Sequence, residues 1–292
     1  MRYGAIEAGG TKFNCAVSDE NFKIIDQVQF PTTDPDETLK HVFDFFDQHD
    51  LTAMGIGSFG PIDVLEDSET YGYITQTPKL PWRHFDFLGA VKDRYEIPVY
   101  WTTDVNSSAY GEYQAGAGKD LSSCLYLTVG TGVGGGAISQ GEFLTGFSHP
   151  EMGHIQVAKD PQDTYEGFCV THGDCLEGLV AGPSIGNRFG EGVKAQDLDP
   201  EDPVWDYVAN YLGQALHNYA LILTPERIIM GGGVMHKPGL LEKVRQSFEV
   251  GWGDYMELPH SLEDYIVSPG LGDDAGLIGC LYLAEKAWKE AQ

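Results

Sequence analysis

Positive charge is scarce in this sequence: 18 lysines and arginines stand against 44 aspartates and glutamates, a formal charge of −26 at pH 7. A surface of that sign repels phosphate backbones and anionic headgroups, which argues against nucleic acid and against a membrane surface as partners. Long apolar runs are missing too. No stretch approaches the roughly 18–20 residues that cross a bilayer, and the opening MRYGAIEAGG carries no basic-then-apolar signal, so no secretory leader is expected. Cysteine is sparse and odd in number, with Cys15, Cys124 and Cys280 lying in apolar runs. That usage suits a reducing cytoplasm, where the chain is expected to reside, and not a disulfide framework. Core-forming material is plentiful: 42% of residues are hydrophobic and 12% aromatic, enough to fold in spite of the charge. At 292 residues the chain is expected to form two domains or one large one.

Short apolar runs around a Gly-Gly turn, Tyr3 to Val17 and then Lys23 to Phe30, predict a strand meander. Leu39, Val42, Phe43 and Phe46 follow at i, i+3, i+4, i+7 after Thr33-Asp34-Pro35, which predicts a capped helix. Ala53 to Ser58 reads as a buried strand, residues 62–85 as an irregular segment, Ile97 to Thr102 as a strand, and Asp104 to Tyr113 as a helix. The second half opens as the first does. Laid over one another, Ile6, Ala8, Gly9, Ala16 and Val17 meet Leu127, Val129, Gly130, Ala137 and Ile138. Helices are expected over 204–219, 238–250 and 275–288, with a strand Arg227 to Met230 between the first two. The alternation predicts an α/β fold.

The run Gly130-Thr-Gly132-Val-Gly-Gly135 satisfies G-x-G-x-x-G. A dinucleotide fingerprint needs a helix next, and residues 136–144 carry no helical period, so the Rossmann reading fails. Two readings stand: ordinary hairpins, or phosphate cradles in which backbone N–H groups approach an anion closely. Gly9, Gly10, Thr11 and Lys12 at the first turn, Gly130, Thr131 and Gly132 at the second, and the further turn Gly231-Gly232-Gly233 together favour the cradle. Asp104, between a strand and a helix, is either an N-cap or a base for a hydroxyl attacking a phosphoryl group. His154, Cys169, His172 and Cys175 form H-x14-C-x2-H-x2-C, a ligand set suited to closed tetrahedral zinc, with Glu151 and Glu177 beside it.

These residues together resemble the ROK family of sugar kinases, in the form of the bacterial fructokinases. The resemblance rests on five segments: Glu7-Ala-Gly-Gly-Thr-Lys12; Gly57-Ser-Phe-Gly-Pro61 with Thr70 to Lys79; Asp104-Val-Asn-Ser-Ser-Ala-Tyr-Gly-Glu112; Gly130 to Gly136; and Glu151-Met-Gly-His154 through Cys175-Leu-Glu177. Two departures stand out. Thr103 precedes the aspartate where many members have asparagine, and His172 takes the place of a zinc-loop cysteine.

The resemblance implies two RNase-H-like α/β domains of the actin-like ATPase type with a zinc-binding loop, divided as 1–118 and 119–274, with a helix over 275–292 packing back on the first. It implies Asp104 as general base, and Gly60, Thr103, Asn106, Glu151, His154 and Glu177 near the sugar. It further implies Mg²⁺ with ATP at the glycine turns, structural zinc, and a homodimer. The expected reaction is ATP-dependent phosphorylation of a hexose, fructose to fructose 6-phosphate, with mannose or glucose as alternatives. A non-catalytic sugar-sensing protein is the other alternative. The regulators of this family usually carry an N-terminal helix-turn-helix, and none is expected here, where the sequence opens on the first strand.

Overall fold

The computed structural model describes every residue but 254, and its chain sorts into two units. The first comprises residues 1–119, 143–150 and 274–292, and the second residues 120–142 and 151–273. The segment Phe143–Pro150, which a division at residue 118 leaves in the second half, lies with the first unit.

In the first unit, strands β1 (Arg2–Ala8), β2 (Lys12–Asp19) and β3 (Ile24–Pro31) form the expected meander. Helix α1 (Pro35–Phe46) follows. Asp34 caps it by accepting from Glu37 N, Pro35 opens it, and Leu39, Val42, Phe45 and Phe46 are buried. Strand β4 (Ala53–Ser58) is buried along its whole length, as befits a central parallel strand. The irregular segment contains a short antiparallel pair, β5 (Tyr73–Ile74) with β6 (Phe85–Asp86), and one 3₁₀ turn, Leu80–Trp82. It is held by side chains: the Asp63 carboxylate accepts from Ser68 Oγ, Thr70 Oγ1 and Leu65 N, and Trp82 is fully buried among Phe13, Phe59 and Phe87. Helix α2 (Phe87–Arg94), strand β7 (Val99–Thr103) and helix α3 (Asp104–Ala115) complete this stretch.

In the second unit, β8 (Ser123–Val129) pairs antiparallel with β9 (Val133–Ser139), and β10 (Glu142–Phe143) flanks β9. The Gly130 turn is therefore a hairpin and not the strand-to-helix turn of a dinucleotide site. Short helices α4 (Leu176–Val180) and α5 (Gly182–Asn187) precede the long α6 (Val204–Leu223). Strand β11 (Ile228–Gly231), α7 (Leu240–Trp252), α8 (Leu262–Tyr265) and β12 (Ile266–Val267) follow. Helix α7 starts later than the apolar pattern suggests because Gly239, at φ 78°, takes the left-handed conformation that ends the preceding turn. The two five-stranded sheets share one order: β3-β2-β1-β4-β7 and β10-β9-β8-β11-β12.

Helix α9 (Ala275–Glu290) belongs to the first unit and packs on α3, β4 and β1. Its approach is close enough that glycine is needed on both sides. A β-carbon on Gly279 would overlap the Ser107 carbonyl, one on Gly111 the Ala275 carbonyl, and one on Gly55 the Cys280 carbonyl. The Cys280 thiol fills the same seam and donates to Ile6 O at 3.3 Å. Overpacking a tight core costs about 1–3 kcal/mol, so Gly279→Ala should lower the unfolding free energy by that amount in urea denaturation. A variant as stable as the parent would show slack in the crossing.

Candidate functional site

The first unit gathers its candidate residues at one edge of its sheet. β1, β4 and β7 are parallel, and their last residues are register neighbours: Ala8 faces Ser58, and Ser58 faces Thr103. The chain then continues from Ala8 into Gly9 and Gly10, from Ser58 into Gly60, and from Thr103 into Asp104. Loops beyond the carboxyl ends of parallel strands are where α/β sheets expose functional groups. In the first turn Gly9 N donates to Lys12 O at 2.9 Å, and Thr11 and Lys12 are exposed. Glu7, just before it, accepts from Asn14 Nδ2 at 2.6 Å, and Asn14 Oδ1 accepts from Gln29 Nε2 at 2.6 Å.

Thr103, not Asp104, caps α3. Its Oγ1 accepts from Asn106 N at 3.1 Å, while Asp104 is the first helical residue and its Oδ1 accepts from Val105 N at 2.8 Å. This corrects the simple capping alternative for Asp104. Asn106 is buried and donates from Nδ2 to Thr102 Oγ1 at 3.0 Å. The Gly60 loop brings in a residue that the motifs did not single out. His149 is 8% exposed and accepts at Nε2 from Ile62 N at 3.2 Å, with its ring under 4 Å from where a Gly60 β-carbon would stand. Its nearness in sequence to the Glu151–His154 motif was the available signal.

In the second unit the other two glycine turns meet. β8 and β11 are parallel, with Thr128 opposite Gly231. Gly233 N lies 3.8 Å from where a Gly130 β-carbon would stand, and one on Gly232 (φ 90°) would press on the Val129 backbone. Thr131 is exposed at the hairpin tip. Gly182 N donates to Gly130 O at 2.7 Å, tying α5 to the turn.

Glu177 also reaches this hairpin. Its Oε2 accepts from Val133 N at 3.0 Å and lies 2.8 Å from where a Gly132 β-carbon would stand. Glu177 is the second residue of α4, whose N-cap is Cys175, so one short helix links a cluster ligand at its start to the hairpin contact. Glu151 is exposed and begins the turn Met152–His154, whose Met152 carbonyl accepts from Tyr219 OH.

His154, Cys169, His172 and Cys175 converge, with one ligand atom of each within 4.8 Å of all the others. Cys175 Sγ and Cys169 Sγ lie 3.6 and 3.7 Å from His154 Nδ1, and Cys169 Sγ lies 3.9 Å from His172 Nδ1. Zinc bonds of about 2.3 Å to sulfur and 2.0 Å to nitrogen put a tetrahedral S···N edge near 3.5 Å. The donors fit that ion in number, type and spacing. Reciprocal hydrogen bonds between the Cys169 and Gly173 backbones form the knuckle that returns His172 to the cluster. Burial, assisted by the neighbouring Cys169, pushes the Cys175 thiol up to about 11. A bound dication would reverse that balance and hold the thiolate.

A sequence model of the ROK family matches residues 3–287. The chain belongs to the ROK family. A Bacillus subtilis relative is 51% identical over 97% of this chain and 95% of its own length. A fructokinase of Pediococcus pentosaceus is 47% identical over the whole of both chains. Among solved structures, a ROK glucokinase from Streptomyces griseus, in complex with glucose and AMPPNP, has a TM-score of 0.78 at 26% identity, covering 98% of this chain and all of the other.

Beside the cysteine–histidine cluster, this ROK chain carries a second staple that its spacing did not announce. Asp163 is 3% and Arg188 9% exposed at their side chains, and Arg188 binds both carboxylate oxygens at 2.7 and 2.9 Å. Tyr211 OH donates to Asp163 Oδ2 at 2.7 Å, Tyr165 N donates to Oδ1 at 3.0 Å, and the guanidinium stacks 4.2 Å from the Tyr165 ring. The segment 160–165 is thus tied to Arg188 and Tyr211 through Asp163. Burial alone would raise the Asp163 carboxyl, but the bonds from Arg188, Tyr211 and Tyr165 hold it below its ordinary value. Its stabilisation is therefore complete above the unfolded value of about 3.9 and is lost as the pH falls through the lower folded value. Breaking a buried pair costs about 3–5 kcal/mol. Asp163→Asn should lose that much at neutral pH in chemical denaturation, and the gap to the parent should close in acid. A gap independent of pH would sink the assignment.

Proposed function

We propose that this chain transfers the terminal phosphoryl group of Mg·ATP to a hexose, with D-fructose as the preferred acceptor and fructose 6-phosphate as product. The observation that carries the reading is the alignment of Ala8, Ser58 and Thr103 at one sheet edge, which gathers a glycine turn, the Gly60 loop and Asp104. The Pediococcus fructokinase, identical at nearly half its positions, supports fructose. We read the repeated sheet order as two RNase-H-like halves of the actin-like ATPase type.

In this reading the Asp104 carboxylate accepts the proton of the sugar 6-hydroxyl as its oxygen bonds to the γ-phosphorus, and the bond to the β,γ-bridging oxygen breaks to release ADP. Gly9, Gly10, Thr11 and Lys12 with Gly130, Thr131 and Gly132 offer N–H, hydroxyl and ammonium donors to the phosphates, and the turn Gly231-Gly232-Gly233 also serves the nucleotide. A chain of charge −26 repels ATP at long range, so these local donors and Mg²⁺, held chiefly on the phosphate oxygens, supply the compensation. Gly60, Thr103, Asn106, Glu151, His154 and Glu177 serve the sugar. His154 turns Nδ1 to the sulfurs, which leaves Nε2 as its nitrogen for a hydroxyl.

His154, Cys169, His172 and Cys175 would hold zinc. With four protein ligands the ion has no open position and supplies structure alone, ordering the knuckle and, through α4, Glu177. A cytoplasmic homodimer completes the proposal.

A panel of hexoses with ATP tests the activity, and a higher kcat/KM for glucose or mannose would overturn the fructose assignment. Loss of a general base costs about 10²–10⁴ in rate, so Asp104→Asn should lower kcat by that order with ATP affinity retained. Near-normal turnover would leave Asp104 with a purely structural role. Elemental analysis should find about one zinc per chain. Cys175→Ser should lower the zinc content and raise the sugar KM, whereas fully active zinc-free protein would refute the structural metal.

A further inference from the structure

We propose that Lys79 is a second cation of the first glycine turn and binds the terminal, transferring phosphoryl group of ATP; this rests on the kinase reading above. Lys79 comes from the irregular segment, far from Gly10 in sequence. Its Cε nevertheless lies 3.3 Å from where a β-carbon on Gly10 would stand, so its stem lies over the turn at close contact distance. The ammonium is one bond further out.

This placement is built into the fold. The backbone around Lys79 is held by Arg83, whose Nε and Nη2 donate to Thr77 O at 3.2 and 3.0 Å, and by Trp82 N, which donates to Lys79 O at 2.9 Å. Trp82 is fully buried, and its Nε1 donates to Thr33 O at 2.7 Å. The neighbouring Thr32 donates from Oγ1 to Gly9 O at 2.7 Å and from N to Thr11 O at 2.9 Å. One run of hydrogen bonds therefore ties the lysine's loop and the glycine turn to two consecutive threonines, and the spacing between them is fixed by the core.

Charge identifies the ligand. Among the described residues, no carboxylate oxygen lies within 4.0 Å of the ammonium of Lys79 or of Lys12. In a chain of 44 acidic and 18 basic residues, two cations on one glycine turn without an acidic partner suit an anion brought from outside. The edge that presents them also presents Asp104, through the neighbouring ends of β1, β4 and β7. The phosphoryl group that receives the sugar oxygen must lie beside that base, and its equatorial oxygens carry the charge to be stabilised. Lys79 therefore acts on the γ-phosphoryl and not on the part of the nucleotide shared with ADP.

The test uses the full chain with Lys79→Met and Lys79→Arg, measured by calorimetry with Mg·AMPPNP and Mg·ADP and by steady-state kinetics. Removing one preorganised donor costs about 10²–10³ in rate, so Lys79→Met should lower kcat/KM for ATP about a hundredfold with the sugar KM little changed. It should weaken AMPPNP by about tenfold or more while leaving ADP within about twofold, and Lys79→Arg should restore most of the loss. The side chain is only half-buried, and an unchanged melting temperature verifies that the variants fold. AMPPNP affinity equal to the parent's, or equal weakening of AMPPNP and ADP, would overturn the assignment. A parent that phosphorylates fructose beside an unimpaired Lys79→Met removes Lys79 alone. A parent that neither binds AMPPNP nor phosphorylates any hexose removes the kinase reading and this inference with it.

Discussion

The approach of α9 to α3 and β4 is the constraint on which the first unit depends. Three glycines, Gly55, Gly111 and Gly279, let backbone touch backbone where any side chain would force the elements apart. The consequence reaches the edge of the sheet. Asp104 is the first residue of α3, and its carbonyl accepts from Ser107 Oγ at 2.7 Å and Ser108 Oγ at 3.0 Å, just above the level at which Gly279 meets Ser107. Cys280 on α9 donates to the Ile6 carbonyl, on the strand that runs into the Gly9 turn. The C-terminal helix thus braces both the start of α3 and the end of β1, and a shift of α9 would move both. Tight interiors respond to strain as units.

A second constraint is electrostatic. With 44 acids, an anionic substrate can be held only where acids are locally excluded or outnumbered. The glycine turns meet this condition by geometry, since a bare backbone presents N–H dipoles at short range and carries no charge of its own. Salt screens the long-range repulsion within about 10 Å and leaves such close contacts almost untouched. Acidic surface and phosphate binding are therefore compatible.

Much of this was legible in the sequence because it is written in local periods: the apolar stripe and Asp34-Pro35 start of α1, the long stripe of α6, the strand–glycine–strand units. The cysteine arithmetic resolves cleanly as well. Cys15, Cys124 and Cys280 are buried in apolar surroundings, and burial pushes the Cys15 and Cys280 thiols up, while Cys169 and Cys175 join the histidine cluster. What was hidden depends on contacts between residues distant in sequence. Order in residues 62–85 comes from one buried indole and one carboxylate, and neither has a period. Thr103 rather than Asp104 caps α3, a difference of one residue that backbone angles decide. Among so many acids nothing marks Asp163 as the one that meets Arg188, and Lys79 reaches Gly10 only because Trp82 anchors its loop.

Glu177 shows why the candidate residues of the second unit cannot be treated as separate subsites. Its carboxylate closes on the Val133 N–H at the head of β9, against the face of Gly132 that a side chain would occupy. Its backbone sits in the first turn of α4, two residues after Cys175, and its carbonyl accepts from Ser184 Oγ at 2.8 Å. A helix of one turn has little stability of its own, since nucleation is unfavourable and few hydrogen bonds follow. Its position is set instead by what holds its ends: the cysteine–histidine cluster before it, the hairpin contact within it, and α5 after it, itself tied to Gly130 O. Changing the knuckle therefore changes the hairpin, and filling Gly132 pushes back on the helix that leaves the knuckle. The residues assigned by motif to a metal, a sugar and a phosphate are one mechanical element in this unit, because a single short helix has to satisfy all three.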